Sequence, residues 1–149
     1  MLALLLRIGE RRFAIPAPSV LEVVPKVALR PAPEAEAFLA GLFAYRGTVL
    51  PAADLCMRVE GRACRSLLSS RIVVVRRAGQ GPVRAFGILS ENVTDVRDFS
   101  GSQIVTVDAD FAPYVRGTIL QDGQMIHVLE VDGILPERSA GLTRVERTD

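Results

Sequence analysis

Tryptophan is absent from this 149-residue chain, tyrosine occurs twice and phenylalanine six times, so the aromatic platforms on which single-stranded nucleic acid stacks are lacking. Charge of one sign is lacking too: 18 basic residues, all but one of them arginine, face 17 acidic ones, for a net charge of +1. That interspersed balance excludes nucleic-acid binding driven by bulk charge. The one histidine, His127, alternates with apolar residues in Met125-Ile126-His127-Val128-Leu129; this is a strand position, on the surface or satisfied in the core, and not the base of a catalytic triad. Two cysteines, Cys56 and Cys64, have no second pair and no nearby histidine, which leaves a tetrahedral zinc site short of ligands. In a chain long enough to need no staple they read as reduced cytosolic thiols. No apolar run approaches the roughly 18 residues of a membrane span. The opening Met1-Leu2-Ala3-Leu4-Leu5-Leu6 imitates a secretory core, but no basic segment precedes it, and Arg7, Glu10, Arg11 and Arg12 follow without a small-residue cleavage site. It reads as a strand. Fixed-period repeats and low-complexity tracts are likewise missing.

Other constellations fail for want of a partner. Gly79-Gln80-Gly81 starts like a dinucleotide fingerprint but runs into Pro82 and a strand, without the helix N-terminus that would hold a pyrophosphate. The carboxylate pairs Asp108/Asp110 and Glu34/Glu36 fall on a loop and an exposed helix, with no apolar pocket to raise either pKa. No metal, cofactor or catalytic residue is therefore expected.

What the chain does have is apolar mass: 49% hydrophobic residues in 16.1 kDa. At this length folding removes roughly 70% of the extended surface from water, enough for one domain or two subdomains sharing a core. Residues 2–8 and 12–15 around Gly9-Glu10 read as a hairpin ended by Pro16 and Pro18. Ser19 suits the N-cap of a helical turn through Val20–Val23. Glu34–Ala40 combines strong helix formers with early acids, and Gly41 is placed to close it. Residues 42–51 form two strands about Arg46-Gly47, and 58–70 are polar and irregular. Arg71–Arg76 is a strand apolar on both faces. Gly79–Pro82 is the clearest turn, and short strands follow at 84–89, 93–96, 104–107, 115–120 and 125–131, with a last helical turn over 131–135. Many short strands and little helix predict an all-β barrel or a pair of barrels.

Four segments in order carry a resemblance: Phe13-Ala14-Ile15-Pro16 with Val20–Val23; Gly41 through Leu55; Ile72–Val75 with Phe86–Leu89 and Val93–Val96; and Tyr114–Thr118 with Val128–Asp132. Over residues 2–136 the chain resembles the CheW family of chemosensory adaptors. Gly41-Leu42-Phe43-Ala44-Tyr45-Arg46-Gly47-Thr48-Val49-Leu50-Pro51-Ala52-Ala53-Asp54-Leu55 looks like the family's G-x-x-N-x-R-G-x-x-x-P-v-x-D-L signature. The resemblance implies two five-stranded, SH3-like barrels sharing a hydrophobic core. The resemblance spans a single domain over 2–136, in which the Gly79–Pro82 turn reads as a subdomain break near 78–83, and a polar tail follows over 137–149. The implied function is non-enzymatic, bridging the cytoplasmic tip of a methyl-accepting chemoreceptor to the regulatory domain of a CheA-type histidine kinase. Such an adaptor sits in the cytoplasm at receptor arrays, without inserting in the membrane and without binding nucleic acid.

Residue by residue, the family's functional glutamate falls on Glu22, its arginine on Arg46, its glycine before the strand on Gly41, and an apolar contact residue on Val20. Tyr45, Gly47, Pro51 and Asp54 belong to the structural motif. An arginine–carboxylate fork between Arg46 and Glu22 would fix a surface for partners to cover. The chain departs from the pattern at Ala44, where asparagine is usual, and at Ala52-Ala53, which replace bulkier aliphatics. The Met-Leu-x-Leu-Leu start and Pro31-Ala32-Pro33 look more like adaptors of accessory, Wsp-type surface-sensing arrays that control cyclic-di-GMP. The competing expectations are a small β-barrel taking a ligand or single-stranded nucleic acid, and a CheW-like coupling protein outside receptor arrays.

Overall fold

Eleven strands are described in the computed structural model, which covers residues 1–31, 38–79, 84–106, 108 and 112–135. In chain order they are β1 (Leu2–Ile8), β2 (Arg11–Pro16), β3 (Val20–Pro25), β4 (Leu39–Tyr45), β5 (Thr48–Asp54), β6 (Arg71–Arg76), β7 (Ala85–Ser90), β8 (Asn92–Asp98), β9 (Ile104–Thr106), β10 (Val115–Gln121) and β11 (Gln124–Leu129). Two short helices, α1 (Leu55–Glu60) and α2 (Val131–Ile134), and a 3₁₀ turn at Ala17–Ser19 complete the set.

The strands form two sheets, one of six ordered β8-β1-β2-β11-β10-β9 and one of five ordered β3-β6-β7-β5-β4. The all-β class with short helices is as expected; the first sheet has six strands instead of five because β1 stays with the strands at the two ends of the chain. The chain passes between sheets at Ala17–Ser19 and at Glu91, so residues 20–90 build the five-stranded sheet inside the other. Residues 80–83, within the expected subdomain break near 78–83, lie outside the described residues; β6 and β7 on either side of them are antiparallel neighbours, with Arg77 N–H bonded to Arg84 O at 2.9 Å. Parallel pairing of β2 with β11 and of β5 with β7 ties remote segments together.

The two-residue period of the strands sorts the apolar residues into separate cores. Leu4, Leu6 and Ile8 of β1, with Phe13 and Ile15 of β2, meet Val73, Val75, Phe86 and Ile88 of the other sheet. The alternate residues Ala3 and Leu5 pack with Ala14, Phe99, Ile119, Ile126 and Val128. On β6 the alternates Ile72 and Val74 join Phe43, Leu50, Ala52 and Leu89. This two-sided burial accounts for the unbroken apolar runs of β1 and β6. Ala52 and Ala53 are fully buried and lie opposite Gly87 and Ile88 in the parallel pair.

Two local expectations are corrected. Val20–Pro25 is a strand, because β-branched Val20, Val23 and Val24 fit a pleated surface better than a helix; the helical turn comes earlier, at Ala17–Ser19. Leu39, Ala40 and Gly41 are in β4, so Gly41 caps no helix. The remaining helix residues 34–37, the turn residues 80–82, Val107, Asp110 and the tail 137–149 lie outside the described residues.

Gly41 closes the five-stranded sheet. Arg30 and Leu42 exchange backbone hydrogen bonds of 2.9 and 2.7 Å, joining the segment after β3 to β4 across the sheet's two edges. The approach is so close that a Cβ at position 41, where φ is +145°, would lie 2.6 Å from the Arg30 carbonyl oxygen. Gly41→Ala is therefore expected to destabilise the fold by about 2–4 kcal/mol through overlap and backbone strain, measured as a lower denaturant midpoint.

Candidate functional site

A β-bulge on β3 decides where Glu22 points. Val20 is paired with Val75 and Glu22 with Val74, so Leu21 is the extra residue. Val75 faces the core shared by the sheets and Val74 the separate core. Val20 accordingly packs on the shared core, whereas Glu22 turns to the opposite side, towards the end of β4.

At that end Arg46 and Gly47 make the β4–β5 turn with φ of +48° and +78°. Two positive φ values in succession define the hairpin turn that favours Asn-Gly or Asp-Gly, and the β10–β11 turn uses Asp122-Gly123 in the same way. Arginine is a poor residue for the left-handed region. Its side chain is what the position offers: Arg46 Nη2 donates to Glu22 Oε1 at 2.7 Å, and Tyr45 Oη donates to the same oxygen at 2.9 Å. The Arg46 guanidinium also lies over the Tyr45 ring, 5.5 Å from its centroid. The anticipated arginine fork is thus replaced by one arginine nitrogen and one phenol sharing an oxygen.

The cluster is at the surface, with side-chain exposures of 75% for Arg46 and 37% for Glu22. The Arg46 hydrogen bond, then that from Tyr45, lowers the Glu22 pKa. The Glu22 bond in turn raises the pKa of Tyr45 and of Arg46. Glu22 is therefore a fixed anion and Arg46 a fixed cation, side by side and open to solvent. Such a pair adds little to stability in water, but it presents an oriented, charged contact surface.

The other expected residues serve the scaffold. Pro51 is buried in β5 opposite Leu42. Asp54 caps α1, accepting from Met57 N–H at 3.0 Å, and its carboxylate also receives Cys64 N–H at 3.0 Å. That bond folds the 61–64 segment back over α1, and Cys64 meets Cys56 with their Cα atoms 5.1 Å apart. The two form a disulfide, which corrects the reading of reduced thiols. His127 sits half-buried in β11 with Nδ1 3.0 Å from Thr118 Oγ1.

Among the described residues, Asp54, Cys56 and Cys64 are the group whose potential ligand atoms lie within 4.8 Å of one another. With the sulfurs joined and the carboxylate occupied by backbone donors, that set does not fit a metal ion.

Sequence reasoning missed Glu91. It is a fully buried side chain at the crossing from β7 to β8, gripped by Arg62 at 2.8 and 3.0 Å and by Arg65 Nε at 3.1 Å and backbone N–H at 2.6 Å. The available signal was a single acid two residues after the apolar run Phe86–Leu89. Also unanticipated is an open groove of about 620 Å³ lined by residues 26–29 together with Met57, Ala63 and Ser66.

A family model for the CheW-like domain matches residues 2–139. The chain belongs to the CheW-like domain family. This CheW-like chain is 29% identical over 140 residues to "Chemotaxis protein CheW" of Rhizobium meliloti (strain 1021), covering 90% of this chain and 88% of that protein. Against "Chemotaxis protein CheW" of Helicobacter pylori (strain ATCC 700392 / 26695) the identity is 26% over 131 residues, covering 86% and 77%. The fold matches the crystal structure of the scaffolding protein TtCheW from Thermoanaerobacter tengcongensis with a TM-score of 0.71 at 24% identity, covering 87% of this chain and 84% of that one.

Proposed function

We propose that this CheW-like protein is a non-enzymatic adaptor that couples the cytoplasmic tip of methyl-accepting chemoreceptors to the regulatory domain of a CheA-type histidine kinase, working in the cytoplasm at receptor arrays. The observation that carries the reading is the exposed Glu22–Tyr45–Arg46 cluster on a CheW-like fold. A turn held in an unfavourable conformation for arginine, for a surface ion pair of little worth to folding, is better explained by a partner than by stability. Relatives named as chemotaxis and scaffolding proteins support the same reading. Val20 and Gly41 contribute indirectly, by holding β3 on the shared core and by closing the sheet beside it.

The direct test mixes the purified protein with a receptor cytoplasmic fragment and the kinase encoded beside it, and records complex size and autophosphorylation. A ternary complex with altered kinase activity supports the adaptor role; failure with a validated receptor–kinase pair overturns it. Arg46→Ala should weaken partner binding by about tenfold or more, as expected for an interface anchor, while the melting temperature stays within about 2 °C. Reversing both charges, with Glu22→Arg and Arg46→Glu, keeps opposite charges side by side and should leave binding lost. Restored binding would make the pair a purely structural contact. Deletion distinguishes outputs: a Wsp-type array predicts lost surface-induced cyclic-di-GMP with swimming chemotaxis retained.

A further inference from the structure

We propose that Cys56–Cys64 is a thiol–disulfide exchange site through which a dithiol reductant loosens one wall of the groove beside β4. The inference takes from the proposed function only its cytoplasmic setting, where disulfides are transient and redox-responsive.

The placement of the two sulfurs supports this. Cys56 is fully buried in α1, whereas Cys64 is partly exposed on the segment that follows. An incoming thiolate therefore reaches Cys64 Sγ first. It bonds to that sulfur, the Cys56–Cys64 bond breaks, and Cys56 leaves as a thiolate that takes up a proton. The second thiol of the reductant then attacks the mixed disulfide and frees Cys64 as a thiol. Two electrons and two protons pass to the protein, and the dithiol becomes a cyclic disulfide. Glutathione disulfide runs the change in reverse. The freed Cys64 Sγ already lies 3.4 Å from the Leu89 carbonyl oxygen, which can accept its S–H.

The consequence follows from what else holds the segment. Arg62 and Arg65 remain anchored on buried Glu91, so the segment stays attached at both sides of Cys64. At the first anchor Arg62 also pairs with Glu60 of α1 at 3.0 Å, and beyond it the Cys64 N–H bond to the carboxylate of Asp54, the N-cap of α1, ties the segment back. Met57 of α1 and Ala63 and Ser66 of the segment line the groove together with residues 26–29. Breaking the bridge removes the covalent tie between these two parts of the wall and leaves hydrogen bonds and an ion pair across it, so the groove's shape becomes a function of thiol redox state.

The test uses the intact protein equilibrated with glutathione disulfide or with dithiothreitol, under native conditions. Iodoacetamide trapping and intact mass should find no free thiols in the first and two in the second. Amide exchange of residues 61–66 should be about tenfold faster after reduction, with β1 and β6 unchanged. The double variant Cys56→Ser, Cys64→Ser should match the reduced protein and ignore dithiothreitol; should it fail to fold, the comparison of oxidised and reduced wild type decides alone. Two free thiols in glutathione disulfide, a bridge that dithiothreitol opens only after unfolding, or unchanged exchange at 61–66 would each overturn the proposal. None of these measurements involves a receptor, a kinase or a cell compartment, so failure of the adaptor reading would register separately.

Discussion

Replacing Glu91 with alanine is expected to cost about 3–5 kcal/mol, the range for removing one partner of a buried ion pair. That is a large part of the roughly 5–15 kcal/mol that a domain of this kind possesses. The carboxylate has no exposed surface, and Arg62 grips it through two nitrogens while Arg65 adds its side chain and its backbone N–H. Removing it leaves two guanidiniums facing an emptied site and frees Arg62 and Arg65 from the β7–β8 crossing, where Ser69 still bonds the backbone carbonyl of residue 91 and Asn92. The same grip makes stability depend on pH. Arg62 above all, with Arg65, lowers the Glu91 pKa from its ordinary 4.5 to about 2 in the folded protein, against the opposing effect of burial. A carboxyl group depressed in the folded state contributes stability that is present above its unfolded pKa and lost as pH falls through the folded one. The difference in unfolding free energy between wild type and Glu91→Ala should thus be level above about pH 5 and shrink between about pH 4.5 and 2. Urea titrations across that range measure it, and a difference that stays constant would show that the charge on Glu91 is not what holds the crossing.

The strands were legible in the sequence wherever apolar residues alternated or ran continuously between turn residues, as in β1, β6 and the β4–β5 hairpin. Which sheet each strand joins was not, because the deciding contacts are the parallel pairs β2–β11 and β5–β7, which leave no local pattern. The crossings at Ala17–Ser19 and Glu91 are set by those pairings. Val20–Val23 failed for another reason: a serine before an apolar stretch fits a cap, and only pairing with β6 shows the β-branched residues in a strand. Of the site, Glu22 and Arg46 were read from the family signature. The part played by Tyr45 was hidden, because the bulge at Leu21 that aims Glu22 at its hydroxyl is a property of register.

Gly133→Ala should be the most damaging single-methyl change described here, with a loss of about 4 kcal/mol or more, beyond ordinary substitutions. A Cβ on Gly133 would fall on the Pro113 carbonyl oxygen, 2.5 Å from its carbon and 3.0 Å from Tyr114 N, and backbone atoms cannot swing aside as a side-chain tip does. Helix α2 would have to lift away, and α2 is a junction. Gly133 O accepts from Arg58 of α1, whose guanidinium lies 4.6 Å from the Phe38 ring centroid and 5.4 Å from that of Tyr114. Asp132 accepts the N–H groups of Ala78 and Gly79, and Arg77 donates to Leu135 O. Displacing α2 therefore strains contacts to both sheets at once and uncovers Val131 and Ile134 in the shared core. Asp132→Asn, which keeps the volume and one acceptor oxygen, should cost far less, about 1 kcal/mol. Equilibrium denaturation of the two variants separates the explanations: a severe loss confined to Gly133→Ala identifies backbone overlap at Pro113, whereas equal losses would place the weakness in the Asp132 hydrogen bonds.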